Sequence, residues 1–177
     1  MIEKMLPKFY RDRKRWAFTL QMLFLTVRYE QIKEAFKKGG SILDRSIFGD
    51  VVFAQMLYED EDMTEDEISV YKRLYQNLIE EAPTPDMMIY IRIPTKLAVE
   101  RIKKRAREYE LEAEYEYWDM LNKWYEKFIE SYNISPVLII NADRFDWVNN
   151  EKDKKVVVEK VKEALKKIDH GERRIEV

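Results

Sequence analysis

The stretch SILDRSIFGD, residues 41–50, sets the interpretation of the whole chain. An apolar segment at 41–43, of the length of a short strand, leads directly into the triplet DRS at 44–46, and a second carboxylate, Asp50, follows soon after. Ion pairs can end strands for purely structural reasons. In open α/β sheets, however, ligands bind at the carboxyl ends of the strands. The stretch is therefore either a plain strand end or one edge of a ligand site.

The composition narrows the class of protein. The chain has 177 residues, a formal charge of −2, no cysteine and one histidine, His170, in a polar tail. A disulfide framework, a Cys-type zinc site and Ser–His or Cys–His catalysis therefore have little support. The near-neutral charge gives no overall attraction to nucleic acid, and no apolar run approaches the roughly 20 residues that cross a bilayer. We expect a single cytoplasmic domain with neither a nucleic-acid nor a membrane partner.

Apolar periodicity predicts an α/β fold in which helices outnumber strands. The apolar segments of strand length are 41–43, 87–93 and 136–140. The predicted helices are 13–38, 48–58, 65–81, 96–109, 113–131 and 152–168. Continuous apolar strands separated by helices are typical of a parallel sheet that helices cover. We therefore predict a parallel sheet of about three strands, flanked by five or six helices.

The long helix predicted at 13–38 carries two polar residues on one face. Gln21 and Arg28 are two helical turns apart, and their neighbours on that face, such as Phe24, are apolar. Backbone groups in a core can satisfy such a pair. An amide also offers a donor and an acceptor side by side, which suits the edge of a nucleobase. Both interpretations stay open, and Tyr10, just before the helix, could close the same cavity.

A second cluster lies in ERIKKRARE, residues 100–108. Arg101 and Arg105 are four residues apart and share a helix face, with Arg107 close by. A basic helix face is usually just solvated. Clustered arginines can also hold a transferring phosphoryl group, because the guanidinium fork matches phosphate oxygens. Glu110 follows them and could accept a hydrogen bond from a sugar hydroxyl.

Four segments together resemble the deoxyribonucleoside kinase family, and within it the bacterial deoxyguanosine/deoxyadenosine kinase branch. They are FYRDRKRWAFTLQMLFLTVRY, LDRSIFGD, ERIKKRAREYELE and NADRFDWVNN, which occur in the family's order along nearly the whole chain. The resemblance implies a P-loop-kinase-like parallel sheet. It also implies transfer of the γ-phosphate of ATP, with Mg²⁺, to the 5′-hydroxyl of a deoxynucleoside. Only the branch that the segments resemble favours a purine.

The resemblance also assigns roles to residues on the nucleoside side of the site. Gln21, Arg28 and Asp50 are implied to face the base. Tyr10 and Glu110 are implied to hold the 3′-hydroxyl of the sugar. The DRS triplet would then end a strand at the mouth of an active site, with Asp50 facing the base.

On the ATP side the resemblance implies a second set of positions, and we expect no metal ligand from the protein. These positions are Arg45, Arg101, Arg105, Arg107, Asp143, Asp146 and Trp147. Arg45 would lie beside the reacting 5′ oxygen and the phosphates. Arg101, Arg105 and Arg107 correspond to lid arginines. Asp143, Asp146 and Trp147 lie in a segment that resembles the loop packed on the adenine of ATP.

Two parts of the family pattern do not occur in these 177 residues. Family members carry a G-x-x-x-x-G-K-[ST] loop after a first strand, and a glutamate that serves as general base on a second. The four glycines here, at 39, 40, 49 and 171, lack that spacing, and Ala106 replaces the glycine usual in the lid. Three explanations stay open: an N-terminally truncated fragment of an active kinase, a reduced or redesigned scaffold, or a natural chain that binds without catalysis.

Two expectations follow for activity and assembly. We expect this chain alone to bind a nucleoside weakly with little or no catalysis; the alternative is a non-catalytic helical binding or dimerisation module. The helix at 13–38 is apolar on two sides, and the helix at 65–81 offers an apolar stripe that includes Ile68 and Leu74. Because the equivalent helices form the dimer interface in the family, the resemblance implies a homodimer through 13–38 and 65–81.

Overall fold

The structure is a computed structural model that describes residues 1–111 and 113–177. Within those residues, the helices are α1 Ile2–Arg11, α2 Arg13–Lys38, α3 Asp50–Glu59, α4 Glu65–Glu81, α5 Thr95–Arg105, α6 Glu108–Leu111, α7 Tyr115–Ser131 and α8 Glu151–Asp169. The strands are β1 Met88–Arg92, β2 Val137–Asn141 and β3 Arg174–Glu176. The α/β class and the three-stranded parallel sheet are confirmed. The described residues form eight α-helices, more than the five or six that were expected. The difference arises because α1 was not predicted and the segment 96–109 divides into α5 and α6.

The prediction of a strand at 41–43 is wrong. These residues form no strand, and Ile42 is 92% exposed. A strand needs a neighbour that accepts and donates its backbone hydrogen bonds, and none pairs with 41–43 in the part of the chain that the structure describes. The third strand is instead β3, in the charged C-terminal tail, where a single buried apolar residue, Ile175, gave little strand signal.

The parallel sheet forms the core of one compact unit, which comprises Thr84–Arg101 and Ile129–Val177. Its strand order is β1-β2-β3, so β2 is central, and Met88 pairs with Val137 in register. The apolar run of β2 is buried, as a parallel strand covered on both faces should be. Ala164 of α8 packs with Leu138, Ile140 and Ile175 in this core.

The other compact unit is helical and comprises Met1–Pro83 and Ile102–Phe128. In it α2 packs against α1, α3 and α4, which explains why this helix is apolar on two sides. The Asp12 carboxylate caps α2 by accepting a hydrogen bond from the Arg15 N–H at 3.1 Å. Thr64 and Glu67 form the capping box that opens α4. No helix in the described part of the chain is long and apolar enough to cross a membrane.

The turn after α5 places a non-glycine residue in the left-handed region. Ala106 has a φ of 55°, and its N–H donates to the Ile102 carbonyl at 3.1 Å. We expect Ala106→Gly to raise the free energy of unfolding by about 0.5–1 kcal/mol, because glycine adopts this conformation without steric cost. Urea denaturation measures the change. Ala98→Gly, inside α5, should instead lower the free energy of unfolding by about 1 kcal/mol. A loss of stability in both variants would contradict the left-handed conformation assigned to Ala106.

Candidate functional site

Three polar residues, two buried and one mostly buried, lie among the helices of the helical unit. Gln21 and Arg28 come from α2, and Asp50 is the first residue of α3. The Arg28 guanidinium forms an ion pair with the Asp50 carboxylate, and their side chains are only 12% and 1% exposed. A carboxylate in the first turn of a helix also interacts favourably with the helix dipole. The structure thus joins two of the three positions assigned to the base by a buried ion pair.

The third of these residues has an unused hydrogen-bond donor. Gln21 is 1% exposed, and its Nε2 has no hydrogen-bond partner within the described residues. Leaving a buried donor unpaired costs about 1–3 kcal/mol. Most buried polar groups in proteins are therefore paired, and an exception needs an explanation. A ligand that accepts a hydrogen bond at this position would supply one.

Arg28 keeps its charge despite its burial. Its guanidinium lies over the Phe24 ring, 4.7 Å from the centroid. Burial, and secondarily the positive charge of Arg45, lowers the pKa of the Arg28 side chain to about 10. Because that value is still well above neutrality, the guanidinium can pair with Asp50 and donate to a ligand at physiological pH.

Arg45 is exposed but held by aromatic side chains. Its Nη1 donates to the Tyr125 hydroxyl at 3.1 Å, and its guanidinium lies 5.4 Å from the centre of the Phe53 ring. The backbone at Arg45 is left-handed, with a φ of 67°. Such strained conformations persist where the surrounding structure over-determines them, and they cluster at functional sites. The guanidinium is therefore oriented before any ligand arrives.

The two residues assigned to the sugar also lie close together. Burial raises the pKa of the Tyr10 hydroxyl, and the negative charge of Glu110 raises it further. Glu110 is itself buried and accepts hydrogen bonds from Arg105 Nη2 at 2.5 Å and Arg107 Nη1 at 3.4 Å. Two of the predicted lid arginines are thus engaged with the carboxylate assigned to the sugar.

The remaining predicted positions lie in the unit that contains the sheet. Arg101 donates from Nη2 to the Ala142 carbonyl at 3.0 Å and lies 6.0 Å from the Trp147 ring centre. Asp146 accepts hydrogen bonds from the backbone N–H and side-chain amide of Asn149. Trp147 packs against the core of this unit, and Asp143 is exposed. Arg101 therefore has different partners from Arg105 and Arg107.

Sequence reasoning missed the aromatic residues around Arg45. Tyr125 is 80 residues away from Arg45 along the chain, so no local spacing connects the two. Phe53 and Tyr125 contact each other edge to face, with ring centres 6.3 Å apart. The sequence places Tyr71 only in the apolar stripe of the helix at 65–81, whereas its buried hydroxyl has no hydrogen-bond partner among the described residues.

The chain is similar to known proteins over most of its length. Residues 1–166 match the deoxynucleoside kinase family. The chain is 34% identical to a deoxyguanosine kinase of Lactobacillus acidophilus over 92% of this chain and 75% of that protein. It is 35% identical to a deoxyadenosine kinase of the same organism over 92% and 80%, respectively. The structure of deoxyadenosine kinase from M. mycoides with bound dCTP superimposes with a TM-score of 0.78 at 30% identity, covering 92% of this chain and 83% of that one.

These matches identify the class of protein to which the chain belongs. The fold is that of the P-loop kinases, as its structural neighbours show. The chain belongs to the deoxynucleoside kinase family, and the family resemblance of its sequence segments is confirmed.

Proposed function

We propose that the helical unit binds a purine deoxynucleoside through Gln21, Arg28 and Asp50. The observation that carries the proposal is the buried Gln21 amide, which has no partner among the described residues, on the same helix as the charged Arg28. The edge of a purine presents donors and acceptors that suit an amide and a guanidinium. Relatives named deoxyguanosine kinase and deoxyadenosine kinase support a purine.

The sugar would be held by Tyr10 and Glu110. The Tyr10 hydroxyl can donate to a 3′-hydroxyl, and the Glu110 carboxylate can accept from it. Arg105 supports this arrangement because its hydrogen bond fixes the position of the carboxylate. Arg45, pre-oriented by Tyr125, would lie beside the 5′ oxygen.

ATP and Mg²⁺ fit the residues of this chain poorly. The sequence contains no G-x-x-x-x-G-K-[ST] loop to surround phosphates. The contact of Asp143, Asp146 and Trp147 with the adenine of ATP remains a prediction. We therefore propose that this chain alone binds a nucleoside weakly and transfers little or no phosphate, and we derive no step through ATP.

Calorimetry with deoxyguanosine, deoxyadenosine and deoxycytidine tests the proposal. We expect Gln21→Leu to weaken purine deoxynucleoside binding about tenfold or more, because it removes the donor. The variant should keep its stability, since leucine replaces an unpaired amide by apolar atoms of similar volume. Gln31→Leu, at an exposed position on the same helix, is the matched control and should bind as the wild type does. Unchanged affinity in Gln21→Leu would contradict the proposal.

We also propose a homodimer through α2 and α4. Phe36 on α2 and Val70 on α4 are 70% and 56% exposed, so both apolar side chains are accessible to a partner chain. We expect a dimer in sedimentation velocity at micromolar concentration, and a shift towards monomer in Val70→Glu. Val156→Glu, at a similarly exposed position on α8, is the control that should leave the assembly unchanged. A wild-type monomer would exclude this interface.

The second candidate function is a helical dimerisation module that binds no nucleoside. The same exposed apolar residues favour it. It predicts that the dimer forms while calorimetry shows no heat with any of the three deoxynucleosides.

A further inference from the structure

Glu110 is a buried acid that holds two arginines which solvent still reaches. Its side chain is 8% exposed and accepts hydrogen bonds through both carboxylate oxygens. Arg105 Nη2 donates to Oε2 at 2.5 Å, and Arg107 Nη1 donates to Oε1 at 3.4 Å. The side chains of Arg105 and Arg107 are 51% and 50% exposed. A ligand in solvent therefore has access to both guanidinium groups while they hold Glu110.

The two guanidinium groups converge on one carboxylate. Both therefore lie within hydrogen-bond reach of a single anion that presents two oxygens. The oxygens of a phosphate match the guanidinium fork as those of a carboxylate do. A phosphate anion from solvent thus meets suitable donors, but it must first displace Glu110 from them. In this respect Glu110 occupies the place of an external anion.

Displacement of the arginines leaves the Glu110 carboxylate in need of other donors. A buried charge without partners is costly, so replacement donors favour the displaced state. The Tyr10 hydroxyl is one such donor, because α1 packs against α6 and the ring centres of Tyr10 and Tyr109 lie 5.6 Å apart. The negative charge of Glu110 also contributes to the raised pKa of the Tyr10 hydroxyl, which is therefore protonated at neutral pH. A sugar hydroxyl at the proposed nucleoside site is the second donor.

We propose that Glu110 is a switch shared by two ligands. Without ligands it masks an anion site formed by Arg105 and Arg107. A phosphate anion that binds these arginines frees the carboxylate for the 3′-hydroxyl of a deoxynucleoside, so the two ligands bind with positive cooperativity. Because coupling between two sites is reciprocal, each ligand tightens the binding of the other by the same factor. The coupling rests on the proposed nucleoside site, whereas the masking does not.

Calorimetric titration with pyrophosphate, without nucleoside or Mg²⁺, tests the masking. We expect Glu110→Gln to bind pyrophosphate about tenfold more tightly than the wild type, because a neutral amide competes less for the guanidinium groups. Glu108→Gln removes the same charge from an exposed position on α6 and should change the affinity by less than about twofold. Arg105→Gln, added to Glu110→Gln, should abolish the gain.

Titration with deoxyadenosine, in the presence and absence of saturating pyrophosphate, tests the coupling. We expect pyrophosphate to tighten deoxyadenosine binding by the wild type about fivefold, which is typical of coupling between two sites. The effect should vanish in Arg105→Gln/Arg107→Gln. Lys103→Gln/Lys104→Gln removes the same charge from exposed positions on α5 and should retain the effect.

The outcomes separate this proposal from the nucleoside site. Equal gains in Glu110→Gln and Glu108→Gln, or a gain in neither, overturn the masking and with it the proposal. Deoxyadenosine binding that pyrophosphate leaves unchanged in the wild type overturns the coupling. If the chain binds no deoxyadenosine under either condition, the nucleoside site is contradicted, and the pyrophosphate titrations alone decide whether Glu110 masks an anion site.

Discussion

Asp50→Asn is expected to lower the free energy of unfolding by about 3–5 kcal/mol, because it leaves a buried guanidinium without a counter-charge. Asp50 and Arg28 are among the least exposed charged side chains of the described chain, at 1% and 12%. Removing one partner of such a pair forfeits the attraction while the desolvation cost of the other remains. Urea denaturation at pH 7, followed by circular dichroism, measures the change.

Two further variants isolate the ion pair as the cause. Glu151→Gln breaks the exposed Lys154–Glu151 pair and should cost no more than about 1 kcal/mol. Arg28→Met/Asp50→Asn removes the buried cation as well and should lose less stability than Asp50→Asn alone. Equal losses in Asp50→Asn and Glu151→Gln would contradict the prediction.

The second large effect concerns phosphoryl transfer. We expect the purified chain to transfer no detectable γ-phosphate from ATP to deoxyadenosine, deoxyguanosine or deoxycytidine in a radiolabelled-ATP assay. Removing a single well-placed electrostatic group typically costs on the order of 10²–10³ in rate. The 177 residues contain no G-x-x-x-x-G-K-[ST] loop, so the phosphate-binding amides and the lysine of that loop are absent from them together. We propose that Arg45 and Arg105 attract phosphate but do not orient it alone.

The assay needs a positive control and a test for contamination. A deoxyadenosine kinase from the same family provides the first. Arg45→Ala provides the second, since residual counts from a contaminating kinase would not change in this variant. Turnover by the wild-type chain that falls in Arg45→Ala would contradict the account.

The sequence predicted those elements whose signal is local. The apolar run of β2 and the capping residues of α2 and α4 carry their structure in short windows. The segment 41–43 also looked like a strand, but a strand depends on a pairing partner that composition does not show. β3 was missed for the converse reason, because its pairing with β2 stabilises a segment with one buried apolar residue.

The candidate site was predictable to a smaller extent. Helical spacing placed Gln21 and Arg28 on one face, but only the family resemblance brought Asp50 to them. The hydrogen bonds of Glu110 to Arg105 and Arg107 follow from proximity along the chain. Contacts between distant segments, such as the hydrogen bond from Arg45 to Tyr125, depend on how the segment 41–46 packs against α7, and no residue pattern shows this in advance.

The central claim is that the buried Gln21 amide receives the base of a deoxynucleoside. The most direct test is the ¹H–¹⁵N spectrum of side-chain amides, with the Gln21 signals assigned by their absence in Gln21→Leu. On titration with deoxyadenosine, the account predicts that the Gln21 signals shift while those of exposed Gln31 stay in place. Saturating deoxyadenosine that leaves the Gln21 signals unmoved would contradict it.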